Sequence, residues 1–179
     1  MNSSLQAKLL VAVPQLVGPF FTKSVIFILD NSPEGSTGIV LNHPTDHTLA
    51  ELNETLQASR RKDDRLYLGG PVDPTVALII HNDTYQGPDT KPVTTGLALS
   101  TTLESIQVMA ESSSLPFRCF MGYAGWAPQQ LEGEIAKGSW LLNPLIPELL
   151  FSDQTATMWE TVLGKMGLDP LTIGPGAFD

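Results

Sequence analysis

SVIFILD, residues 24–30, is an unbroken apolar run of β-branched and aromatic residues, closed by Asp30 and Asn31. A run this short reads as a strand, and a strand without polar alternation is buried on both faces. That places it inside a central sheet that is covered by helices or closed on itself. Residues 8–13 (KLLVAV) read the same way, bounded by Pro14 and then Gly18-Pro19. On the other side, Gly35 and Gly38 turn the chain into a third strand, residues 37–41. Residues 66–68 and 76–81 are further strands around the break Gly69-Gly70-Pro71, and residues 117–123 form another, loosened behind by Gly122 and Gly125. Between them lie helical patterns. Residues 48–58 carry Leu49, Leu52 and Leu56 on one stripe. Thr101-x-x-Glu104 is a capping box ahead of a helix that carries Leu103, Ile106, Val108, Met109 and Ala110. Pro128 stands where a first helical residue belongs and Gly138 where that helix stops. The last helix spans about 153–166, striped by Trp159, Val162, Leu163 and Met166, with Ser152 or Asp153 as its cap and Gly167 as its end. Strands in adjacent runs, without strict alternation with helices, predict an α+β fold with a mixed sheet. A doubly wound nucleotide-binding domain would need a Gly-rich turn after the first strand, and residues 14–20 hold only Gly18.

The remaining composition narrows the function classes. The chain has 179 residues, is 42% hydrophobic, and carries 10 Lys+Arg against 19 Asp+Glu, a net charge of -9. That suits one domain over residues 1–167, with a loosely attached Pro/Gly-rich tail at 168–179. So acidic a surface repels a phosphate backbone, and direct nucleic-acid binding is not expected. The one basic cluster, Arg60-Arg61-Lys62-Asp63-Asp64-Arg65, reads as a solvated helix end. One cysteine supplies neither a disulfide framework nor a thiolate zinc site. Residues 1–4 (MNSS) lack the basic start of a secretory leader, and no apolar run approaches the ~20 residues of a membrane helix. A cytoplasmic setting is expected.

No P-loop, nucleophile elbow, zincin pair or dinucleotide fingerprint is present. His43 and His47 have helical metal-ligand spacing, but Pro44 between them biases His43 away from helix, so they read as turn residues; no metal and no cofactor are expected. Cys119 alternates with Phe117 and Met121 on one side of a core strand and reads as a small buried hydrophobe. His81, at the end of an apolar strand, reads equally as a site residue or a hydrogen-bonded structural one. Gly122-Tyr123-Ala124-Gly125-Trp126 leads into a helix start and reads either as the floor of a ligand cleft or as a tight corner whose Trp plugs the core. Past it, Gln130 and Glu134 share a polar helix face, whereas Glu132 and Glu134 form no pair.

Several stretches in order resemble the AlgH/YqgE family of small bacterial proteins. They are Leu10 to Pro14 with Phe20-Phe21 and Ser24-Val25; Gly38, Asn42 and Pro44; Gly69-Gly70-Pro71-Val72 with His81 after it; Gly122 to Trp126 with Gln130-Leu131-Glu132 and Glu134; and Trp140-Leu141, Phe151 and Trp159. Two positions depart from the pattern. Gln129 stands where glycine is usual, and His43 stands where a basic residue is common. The resemblance implies a single α+β domain whose mixed sheet curls into a small barrel with helices outside. It implies no settled activity, and some members carry the label of transcriptional regulator, which the acidic charge does not support. The expected site is one surface cleft formed by Asn42, Gly69, Gly70, Pro71, His81, Gly122, Tyr123, Gly125, Trp126, Gln130 and Glu134. It would bind a small molecule or a protein, as a binding or regulatory module. The alternative is a hydrolase-like enzyme working through His81 and Glu134 in the same cleft. Monomer and dimer stay equally open.

Overall fold

The two-faced burial expected of SVIFILD organises the molecule. The computed structural model describes residues 4–173. The chain runs through β1 (Lys8–Ala12), β2 (Val25–Ser32), β3 (Gly35–Val40), β4 (Pro44–Thr48) and a four-residue α1 (Leu49–Leu52). It continues as β5 (Arg65–Leu68), β6 (Val72–Asn82), β7 (Lys91–Thr94), β8 (Leu97–Ser100) and α2 (Leu103–Glu111). It ends with β9 (Phe117–Trp126), α3 (Gln130–Ala136), β10 (Trp140–Pro144) and α4 (Met158–Lys165). The strands form one sheet in the order β10-β1-β2-β3-β9-β6-β8-β7, with β5 beside β9 and β4 beside β5. Every pairing is antiparallel except β5 with β9. The sheet is curled into a half-barrel, and the fold is a single α+β domain.

Alternation along β1 and β2 sends neighbouring side chains to two different cores. Leu9, Val11, Val25 and Phe27 pack with Trp159, Val162 and Leu163 of α4. Leu10, Ala12, Ile26 and Ile28 pack with Trp126, Leu131 and Trp140 on the α3 side. A third core joins Ile79 and Cys119 to Ile106 and Met109 of α2. β9 is the spine: its start pairs with β6 and β5, and its end pairs with β3.

The local expectations shift in several places. The helix expected over 48–58 stops at Leu52, because Asn53 is extended (φ -157°, ψ 143°) and its side chain accepts from Thr55 N to start a short 3-10 turn. The α2 cap is Thr102, not Thr101, whose N–H is taken by Asp89 Oδ2 at 2.7 Å. β9 continues through Gly122 and Gly125 to Trp126, where a loosened loop was expected. Neither Ser152 nor Asp153 caps the last helix, which starts at Met158 after a 3-10 turn. Of the expected tail, Ile173 is buried and its carbonyl accepts from Gln15 Nε2 at 3.0 Å; residues 174–179 lie outside the described ones. No helix among the described residues is long and apolar enough to cross a membrane.

Candidate functional site

Gly69, Gly70 and Gly122 make a backbone crossing. The link from β5 to β6 passes so close over β9 that a Cβ on Gly70 would lie 2.2 Å from the Tyr123 carbonyl carbon, and one on Gly122 2.6 Å from Gly70 O. Gly122 also has φ +71°, which disfavours a side chain independently. These glycines set the path of the chain, and their own surfaces are covered by it. Pro71 emerges from the crossing exposed.

Past the crossing, β9 delivers Tyr123, Gly125 and Trp126 to the corner with α3. Trp126 is only 7% exposed. Its indole N–H donates to Glu134 Oε2 at 3.0 Å, and the Trp140 indole N–H donates to the same oxygen at 2.9 Å. The other carboxylate oxygen accepts from Gln130 Nε2 at 3.0 Å, and Gln130 Oε1 accepts from Ala127 N at 2.9 Å. The two indoles meet edge to face at 6.4 Å. Trp126, Gln130 and Glu134 are thus brought together as expected, but their polar atoms are largely spent on one another. Pro128 falls in the turn before α3 rather than at its first position, and Gln129 takes the left-handed conformation at φ 64°.

The outer side of this corner is open. Tyr123, Gly125 and Trp126 wall a groove of about 420 Å³, with Val72 and the β2–β3 hairpin across from them. Asp30 and Glu34 on that hairpin are exposed, and their carboxylates make no hydrogen bond or ion pair among the described residues. The Tyr123 hydroxyl donates to Asp73 Oδ2 at 3.1 Å, and that carboxylate holds the phenol above its ordinary pKa.

Asn42 and His81 lie elsewhere. Asn42 Oδ1 accepts from Val25 N and its Nδ2 donates to Lys23 O, splinting the strand ends at 3.0 and 2.9 Å. His81 pairs with Phe117 at the start of β9, whereas Trp126 ends that strand, roughly 30 Å along an extended chain. The structure therefore does not bring His81 and Glu134 together. His81 is fully buried. Its Nδ1 faces the Asn82 carbonyl at 2.7 Å and carries the proton, so Nε2 accepts from Ser100 Oγ at 2.9 Å. A hydroxyl on an imidazole has the geometry of a nucleophile and its base. Here both groups have zero exposure, and no substrate atom reaches them. Among the described residues no group of three or more His, Cys, Asp or Glu could hold a metal ion. His47 instead meets Glu51 at 3.4 Å on the surface.

The residue that sequence reasoning missed is Arg118, at the start of β9. It is 8% exposed and stacks 4.1 Å from the Tyr67 ring centroid. Nη1 donates to Ser152 O at 2.7 Å, and Nη2 to Phe151 O at 3.3 Å and Asp153 Oδ1 at 3.0 Å. It borders a cavity of about 340 Å³ that Arg61 and Arg65 also line. The available signal was a guanidinium between Phe117 and Cys119 in an apolar strand, where a charge is costly unless used. Arg61 alone departs from the reading of its run as solvated: its Nε donates to Asp64 at 2.7 Å, its Nη1 to Leu115 O at 2.6 Å, and it lies 4.0 Å over the Phe117 ring, while Arg60, Lys62 and Arg65 are exposed. Cys119, in the same wall, is inert, because burial pushes its thiol up to about 12.

Residues 9–171 match the family model described as AlgH-like, DUF179. A UPF0301 protein of Myxococcus xanthus is 40% identical over 97% of this chain and 98% of its own length. Another, from Methylococcus capsulatus, is 35% identical over 93% and 94%. Among solved structures, the AlgH protein of Pseudomonas aeruginosa superposes with a TM-score of 0.81 at 27% identity, covering 98% of this chain and 97% of that one. A Corynebacterium diphtheriae protein shares the fold at a TM-score of 0.75 and 24% identity, over 92% and 88% of the two chains.

Proposed function

The chain belongs to the AlgH-like (DUF179) family, and from that premise we propose that it is a binding module whose ligand seats in the groove beside Tyr123 and Trp126. One observation carries this reading. The side chains suited to chemistry, His81 and Glu134, are apart and tied into structural hydrogen bonds, whereas Asp30 and Glu34 stand unpaired beside an aromatic wall. Two free carboxylates beside the Tyr123 ring and small residues suit a cationic group, an amine or guanidinium that the acids attract and the phenol ring covers. The expected site thus contracts to Tyr123, Gly125 and Trp126. Gly69, Gly70, Gly122, Gln130 and Glu134 hold it in place, and Asn42 and His81 support the sheet elsewhere. A cytoplasmic, regulatory role goes with this reading, since a groove without a reacting pair acts by occupancy.

The test is a titration of the full chain with spermidine and with arginine amide at fixed ionic strength, followed by backbone amide NMR shifts. Saturable shifts confined to Gly35, Thr37 and Gly125, and lost in the Asp30→Asn/Glu34→Gln double variant, support the groove. Shifts that never saturate, or that survive in the double variant, refute it.

A further inference from the structure

We propose that the arginine-lined cavity at the start of β9 is a second site, a receptor for the carboxylate or phosphate of a small anionic metabolite, with Arg118 as its anchor. A buried guanidinium is expensive to keep and gives the fold little net stability, so its retention asks for a use. Its orientation is set by the protein: Tyr67 covers one face, and the Ser152 and Phe151 carbonyls accept from one edge. Five N–H groups are available to an arginine, and Arg118 makes three hydrogen bonds, with Nε unpartnered among the described residues. Its one direct ion pair among the described residues is with Asp153, whose side chain is 95% exposed. An ion pair with so exposed a partner is weak and easily exchanged. Asp153 therefore holds the place of an incoming oxyanion, which offers the same two oxygens in the bidentate geometry that guanidinium favours.

The surroundings agree. Asp64 is committed to Arg61 at 2.6 Å, which leaves Arg65 and Arg118 facing the space. Three arginines against two aspartates give the cavity a net +1, and +2 once Asp153 swings away, on a chain of -9 overall. The Cys119 thiol in the wall is neutral and does not oppose an anion. About 340 Å³ is the lower end of small-molecule pockets, the size of a metabolite and too small for a folded partner.

The experiment titrates inorganic phosphate and, separately, succinate into the full chain through the millimolar range, at ionic strength held constant with chloride. The readouts are the Arg118 Nε–H NMR signal and the thermal unfolding midpoint. The expected result is a saturable shift with at least one of the two anions, tightened about threefold to fivefold by Asp153→Asn, which removes the internal competitor. Asp169→Asn changes net charge equally at an exposed position near the far end of α4 and leaves the affinity unchanged. Arg118→Lys weakens binding about tenfold. If that variant does not fold, Arg65→Gln, at an exposed position, must weaken binding instead. No saturable shift in either the native chain or Asp153→Asn overturns the proposal, as does equal tightening by Asp153→Asn and Asp169→Asn. Neither probe nor variant touches the Tyr123 groove, so the two sites stand or fall separately.

Discussion

Gln129 shows how a departure from a family pattern can be a matter of backbone. The pattern it departs from has glycine there, and in this chain the residue sits at φ 64°, the left-handed region where a side chain is penalised. A glycine at this position answers a need of the turn into α3, without any ligand being invoked. Gln129→Gly is expected to raise stability by about 1 kcal/mol, measured as a higher urea midpoint at unchanged slope. The opposite holds at the crossing, where Gly70→Ala drives a methyl into the Tyr123 backbone; a loss of more than ~3 kcal/mol, or no folded protein, is expected from the same measurement. Asp89 is a third residue with a local task. Burial raises its pKa, but the Ser105 hydroxyl and the Thr101 and Thr102 N–H groups outweigh that and bring it to about 2, from 3.8. A depressed folded pKa gives stability that is present above 3.8 and lost as pH falls toward about 2. The stability difference between the native chain and Asp89→Asn, about 1 kcal/mol after solvent screening, should vanish across that window in acid titrations followed by circular dichroism.

Elements with one strong pattern were legible, and those defined by their partners were not. β1 and β2 announce themselves because residues buried on both faces leave no polar alternation, and the stripes of α2 and α4 match the cores they enter. β4 (PTDHT), β7 (KPVT) and β10 (WLLNP) carry prolines and polar residues and become strands because a neighbour pairs with them. The helix expected over 48–58 failed for the converse reason: its leucine stripe is real, but the Asn53 side chain competes for the backbone and ends the turn. At the β9–α3 corner, Gln130 and Glu134 are four apart and meet as helical spacing predicts. Their use on Trp126 and Trp140 joins a strand end, a helix and the next strand through one carboxylate. Glu134→Ala leaves two largely buried indole N–H groups unpaired, and a loss of about 1–3 kcal/mol in urea unfolding is expected; recovery of part of it by Glu134→Gln would identify the hydrogen bonds as the cause.

At the scale of the molecule, charge and packing act against direct DNA binding. Within the single basic run, Arg61 is pinned by Asp64 and Leu115, while Arg60, Lys62 and Arg65 stay exposed and Arg65 also borders a cavity. Few phosphates can be neutralised by what remains on a chain of -9, so no retarded band is expected in a gel shift at ~0.15 M salt, and neutralising Arg60, Arg61, Lys62 and Arg65 should change nothing in that assay. Salt-sensitive retardation lost in that variant would reverse the conclusion. The sequence by itself determined the fold class, the two-faced central strands and the buried cysteine, because each rests on composition or on periodicities of a few residues, and the family, through motifs in order from Leu10 to Trp159. The candidate sites were decided only by the tertiary structure. Glu134 meets Trp140, His81 meets Ser100, and Arg118 meets Asp153 across intervals of chain that no local spacing encodes. A polar side chain is free to bind only if the fold has not already used it, and that follows from which strands lie side by side.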